Sequence, residues 1–208
     1  MADSHRRTEE GFRRLIAFTD AVVAIALTLL VLPLVDIAHD LTEGMTVWQV
    51  FSDHSDQVIG FLISFIVIWV LWRNHHSMME YFRSYDEVLF RLHFLWLFTI
   101  VALPFVTALI SGREIEWANL AYLTVLWVSI ASLSAMALWG RSHRELLDDS
   151  PETEHWLAGP PDLSTIIMLT IAMVVTAVFH DVGMWSLLLL LLSGPLHAAV
   201  AHRWRARR

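Results

Sequence analysis

Cysteine is absent from the 208 residues, which rules out disulfides, iron–sulfur clusters, haem thiolates and thiol nucleophiles. Lysine is absent as well, so all fourteen basic residues are arginines. Charged residues of either sign are scarce at 17%, against about 25% in soluble domains. Motifs are missing too. There is no phosphate-binding G-x-x-x-x-G-K-S/T, no G-x-G-x-x-G, no G-x-S-x-G and no H-E-x-x-H, so nucleotide-driven transport and soluble-type hydrolysis lack their usual parts. No catalytic constellation is left, and no enzymatic activity is expected. The eleven histidines are scattered, and the adjacent His75 and His76 would point about 100° apart on a helix. No metal site, cofactor or nucleic-acid partner is expected.

What is present is apolar sequence. Hydrophobic residues make up 56% of the chain and mean hydropathy is +0.55, the signature of an integral membrane protein. The apolar residues fall into six blocks, 15–35, 58–72, 88–110, 117–139, 163–179 and 182–201, most of them near the ~20 residues that cross a hydrocarbon core. An all-α membrane protein with six transmembrane helices in one domain, 1–208, is expected. The first block reads as a retained helix and not as a cleaved signal peptide, because Asp20 interrupts its start and no small-x-small site follows Pro33.

With six spans, thirteen of the fourteen arginines share one side: Arg6, Arg7, Arg13, Arg14, Arg73, Arg83, Arg91, Arg141, Arg144, Arg203, Arg205, Arg207 and Arg208. Only Arg113 falls opposite. The positive-inside rule then places both termini in the cytoplasm of a multi-pass cell-membrane protein. The other side carries Asp36, Asp40, Glu43, Asp53, Asp56, Glu114, Glu116 and Asp181, a surface that would concentrate cations or be ordinary solvated loop. The segment 140–162, rich in proline and acidic residues, reads as a loop with no apolar face to bury. No three-plus-three internal repeat is visible, so symmetry is expected from oligomerisation.

Asp20 stands about one turn inside the cytoplasmic end of the first helix. An ionisable group there needs partners and usually faces the bundle interior or water. Trp72, Arg73, Asn74, His75 and His76 at the end of the second block, and Arg91 and His93 at the start of the third, are at comparable depth. Structural pairing and a role in a pore or relay fit these residues equally. Farther along, Ile25, Leu29 and Leu32 stand at i, i+4 and i+7 and form one stripe, with Ala17, Ala21 and Ala24 small enough for close helix packing. By spacing alone, such a stripe suits a lipid-facing or core surface more often than a pore.

The stretch Arg14-Leu15-Ile16-Ala17-Phe18-Thr19-Asp20, followed by Ala21 and an aliphatic helix, resembles the R-x-x-x-F-S-D signature on the first helix of the transmembrane protein 175 family of potassium channels. Thr19 replaces the motif's serine and keeps the hydroxyl. The six-span count and the stretch from Trp72 through Asn74, His75 and His76 fit the bacterial branch of that family.

The resemblance implies a homotetramer around a central pore lined by the first helix, without a T-V-G-Y-G carbonyl filter, which this sequence also lacks. It implies that Ile25 forms the narrowest aliphatic ring, that Leu29 and Leu32 form further rings and that Thr28 supplies a hydroxyl layer. Arg14, Phe18, Thr19, Asp20, Trp72, Asn74, His75 and His76 would form the motif and its supporting network. The expected function is moderately selective conduction of potassium, the permeant monovalent cation, through an apolar constriction that demands partial dehydration. Two alternatives remain: a proton-coupled carrier using Asp20 and a histidine, and an accessory subunit without transport of its own.

Overall fold

The computed structural model describes residues 9–37, 46–111 and 117–179, and among these every element longer than a single turn is helical. In chain order these are α1 (Glu9–Leu29), α2 (Leu32–Ile37), α3 (Val47–Asp53), α4 (Ser55–Met79), α5 (Glu87–Ser111), α6 (Ala118–Ser142), a 3-10 turn (Arg144–Leu146), α7 (Pro151–Ala158) and α8 (Ser164–Val178). Four stretches are long and apolar enough to cross a membrane: Glu9–Ile37, α4, α5 and α6. With α8, a shorter apolar helix of 15 residues, they correspond to the first five apolar blocks; 182–201 lies outside the described residues.

Helix boundaries run past the apolar blocks, since a helix needs no hydrophobic residues once its backbone reaches water. The first begins at Glu9 rather than at 15, with Glu9 and Glu10 placed favourably at the positive end of the helix dipole. The second continues to Met79 rather than 72, so Trp72 to His76 lie within α4. The first span is also interrupted. Pro33 has no N–H to give to the carbonyl of Leu29, so α1 stops there and the chain restarts with Leu34 and Val35 both donating to Val31 O, at 2.9 and 3.1 Å.

α5 is the hub, packed against α1, α4 and α6. Leu89, His93, Trp96, Ile100 and Leu103 line its buried side, and Ile68 of α4, Val23 of α1, and Tyr122 and Leu123 of α6 complete the core. At the end of the bundle where α4 gives way to α5, the loop expectation for 140–162 is overturned. Ser150 caps α7 through its Oγ, accepting from Thr153 N at 3.2 Å, and Pro151 occupies the first turn, where a missing N–H costs nothing. Two apolar residues suffice to dock so short a helix: Trp156 and Leu157 pack against the core, and the Trp156 ring stacks on Tyr81 at 4.9 Å.

The two connections on this side are stitched together. Arg83 N donates to Leu146 O at 3.0 Å, Asp148 N donates to Tyr81 O at 2.9 Å, and Phe82 and Leu147 form an isolated antiparallel bridge. Gly140 makes the fit possible, because a Cβ there would run into the Phe82 ring.

Candidate functional site

α1 divides into two faces. Phe12, Thr19, Val23 and Ala26, continued by Leu30, are buried, at the three- and four-residue spacing that puts them on one side of a helix. The opposite face, Ala17, Phe18, Ala21, Ala24, Ile25, Thr28 and Leu29, is exposed along its whole length in the single chain. Ile25 is 59% exposed although isoleucine is among the residues most often buried, and beyond the break Leu32 is exposed as well. The stripe read from the sequence is thus the unpartnered face of this helix. On it, the Thr28 hydroxyl donates back to Ile25 O at 2.7 Å, so its oxygen lone pairs are left as acceptors.

The buried face is tied to α4 and α5 by a chain of hydrogen bonds. The Thr19 hydroxyl donates its single proton to Leu15 O at 2.9 Å, within its own helix. It therefore accepts from Nε2–H of His93, 2.6 Å away on α5. A neutral His93 protonated at Nε2 presents a bare Nδ1, which accepts from Nε2–H of His75 on α4 over a long 3.4 Å. That leaves His75 Nδ1 as an acceptor, and it has no partner. Each proton has one place in this order, which threads α1, α5 and α4. The His75 ring lies flat on Trp96 at 4.1 Å, with only 9° between the planes, so stacking fixes the plane in which the chain runs.

Asp20 is anchored separately. Its Oδ1 accepts from the indole Nε1–H of Trp72 at 2.8 Å, and the Trp72 ring is held between those of Trp69 and His76 at 5.0 and 5.2 Å. Of the candidates at this depth, the partner is thus a neutral donor. The arginines at this level point elsewhere: Arg14 and Arg73 are exposed, and Arg91 pairs with Glu87 of its own helix at 3.0 Å. Helical rotation explains the selection, since Trp72, His75 and Met79 share the inward side of α4 while Arg73 and Asn74 fall on the outward side.

Of the motif and network residues named from the sequence, the structure brings together Thr19, Asp20, Trp72, His75 and His76. It leaves Arg14, Phe18 and Asn74 exposed. His93, placed at this depth by the sequence but not counted in the network, completes the hydrogen-bond chain, and Trp96, which the sequence did not single out, is the platform on which His75 stacks. Among the described residues no group of three or more His, Asp or Glu side chains is arranged to hold a metal ion.

A family model described as the endosomal/lysosomal potassium channel TMEM175 matches residues 14–104, the stretch that holds both faces of α1 and all of this network. A Streptomyces collinus protein named as a potassium channel is 33% identical over 129 residues, 61% of this chain and 62% of that protein. One from Chamaesiphon minutus is 33% identical over 111 residues, 53% of this chain and 54% of its own length. The chain thus aligns with less than two thirds of these relatives. A Danio rerio protein named as the endosomal/lysosomal proton channel TMEM175 is 24% identical over 150 residues, 71% of this chain and 28% of that one. Among solved structures, a potassium-selective TMEM175 homolog from Chamaesiphon minutus superposes over 95% of this chain and 98% of its own, with a TM-score of 0.60 at 22% identity, a likeness of fold. Matched by the family model over residues 14–104 and in fold over nearly its whole length, the chain is similar to the TMEM175 proteins.

Proposed function

We infer that four copies of this chain assemble in the cell membrane, with both termini cytoplasmic, around a pore lined by α1, and that the pore conducts potassium. The observation that carries this reading is the exposed face of α1. A helix anchored so firmly on one side, with an unbroken apolar and small-residue stripe on the other, suits a shared axis: the alanines permit close approach and Ile25, Leu29 and Leu32 narrow the passage. Four aliphatic side chains in a ring exclude a hydrated ion, and potassium loses water at lower cost than sodium. Thr28, with acceptor lone pairs on the same face, offers a polar step between the apolar rings. The names of the bacterial relatives as potassium channels support the choice of ion.

The test is planar-bilayer recording of the reconstituted full chain under potassium and sodium gradients. Wild-type protein gives single-channel steps and a reversal potential displaced toward potassium, and Ile25→Asn moves the permeability ratio toward one. An unchanged ratio in Ile25→Asn, with a shift produced by a residue outside α1, would place the pore elsewhere. Saturating flux that requires a pH gradient would favour the carrier instead. The name of the Danio rerio relative makes protons a second permeant ion to measure, read in the same recordings as current under a pH gradient alone.

A further inference from the structure

A polar collar separates α3 from the membrane-spanning part of α4. From Ser52 to Gln57 every residue is polar, and the apolar run of α4 starts at Val58. From Val58 back to His54 is about 6 Å of helix, which matches the ~5–7 Å by which the headgroup region extends beyond the hydrocarbon core on each side. The helix breaks at that same residue. The His54 backbone, with φ −118° and ψ 29°, leaves the helical region, although His54 N still donates to Val50 O at 3.2 Å and Val58 N to His54 O at 3.1 Å. A straight continuation would carry Trp48, six residues farther, about 9 Å out into water. A break at the height of the headgroups lets the short helix turn along the membrane surface instead.

α3 is itself two-sided. Phe51 lies about 160° around the helix from both Gln49 and Asp53. Trp48 shares the side of Phe51 and stands about 40° from Ser52, at the border with the polar side. Trp48 is 81% exposed and Phe51 52%, and Gln49, Ser52 and Asp53 are exposed as well, so the described residues leave both sides of the helix open. Its start is closed off locally. Thr46 Oγ1 accepts from Gln49 N at 3.3 Å and Gln49 Oε1 accepts from Thr46 N at 2.8 Å, which satisfies two donors of the first turn without water. A second tryptophan marks the same side of the membrane: Trp117, 50% exposed, immediately precedes α6 at the end where α5 finishes. Indole rings gather at membrane–water boundaries because one end is apolar and the other wet.

We propose that α3 is an interfacial anchor, with Trp48 and Phe51 seated in the headgroup–acyl boundary of the leaflet opposite the start of α1, and Gln49, Ser52 and Asp53 turned to water. An uncovered apolar side at headgroup height, continuous with the lipid-crossing α4 and edged by a tryptophan, fits a bilayer. Contact with a second copy gives no reason for the polar border to fall at that height. The anchor requires only that α1 and α4 cross the membrane. It depends neither on the ion nor on the number of copies, so a silent planar-bilayer recording leaves it standing.

Because the chain has no cysteine, single cysteines can carry a nitroxide label in the full chain, reconstituted in vesicles of phosphatidylcholine and phosphatidylglycerol. Trp48→Cys and Phe51→Cys report the side proposed to enter the lipid, Gln49→Cys and Ser52→Cys the wet one. The ratio of collisions with dissolved oxygen, which concentrates in lipid, to collisions with a water-soluble nickel chelate should be about threefold or more higher on the first side than on the second. Adding Trp48→Ser to the Phe51→Cys chain should lower its ratio about twofold, since the anchor loses its larger ring. An unchanged ratio there would assign the depth to the label rather than to α3 and overturn the proposal. Equal nickel access at all four positions would place α3 in water and overturn it too. Low access to both reagents at Trp48→Cys and Phe51→Cys, with spin–spin broadening that disappears on dilution with unlabelled chain, would show a second copy against α3 and overturn it equally.

Discussion

The two faces of α1 have almost opposite chemistry within one helix. The buried face holds a hydroxyl that both donates to the backbone and accepts from another helix, beside the tightly packed Val23 and Ala26. The exposed face holds seven residues at helical spacing, Ala17 to Leu29, and its one hydroxyl turns its proton back to the backbone. Under the proposed function, stability and conduction fall to different residues only a few ångströms apart. A substitution that mixes the two effects would show the division to be wrong.

The largest expected loss of stability is at His93, where replacement by alanine removes the central link of the hydrogen-bond chain and empties space among α1, α4 and α5. Large-to-small changes in a core cost about 2–5 kcal/mol, so His93→Ala should lower the thermal unfolding midpoint of the purified protein markedly. Thr19→Val keeps the volume but leaves His93 Nε2–H without an acceptor, for a loss of about 1–3 kcal/mol in the same assay. Asp20→Ala deprives the Trp72 indole of its acceptor; since Asp20 is only half-buried, about 1 kcal/mol is expected. Asp20→Asn retains a carbonyl oxygen for the indole and should cost less than Asp20→Ala. If both variants lose as much as a broken buried ion pair, about 3–5 kcal/mol, a cation must join the carboxylate in the assembled protein. At the other extreme, Ile25→Asn should leave the midpoint within about 0.5 kcal/mol of wild type while altering the permeability ratio. Destabilisation there comparable to Thr19→Val would mean that the exposed face carries packing energy.

The sequence made some of these parts readable and hid others. Long apolar blocks located α4, α5 and α6 because a bilayer imposes length and composition together. Asp20 announced a need for a partner but not its identity: an indole N–H on another helix satisfies a carboxylate as an arginine does, and only the rotation of α4 decides which residue arrives. His93 and Trp96 could be joined to Thr19 only once three helices were packed. α7 was concealed by composition, for the acidic residues and prolines of 140–162 outnumber Trp156 and Leu157, the two side chains that dock it. The break before α2 had its signal in Pro33, which a count of apolar residues passes over.

That break also has a mechanical meaning. A continuous helix transmits bending and twist along its whole length, but a helix missing a backbone bond behaves as two rods with a joint. In this chain the joint lies between Leu29 and Leu32, so those two residues ride on different rods. The segment carrying Ile25 is held against α4 and α5 before the joint, and beyond it α2 packs separately against α4 and buries Ile37. In the proposed pore, the positions of Leu32 and Ile25 are thereby set by two different helical segments.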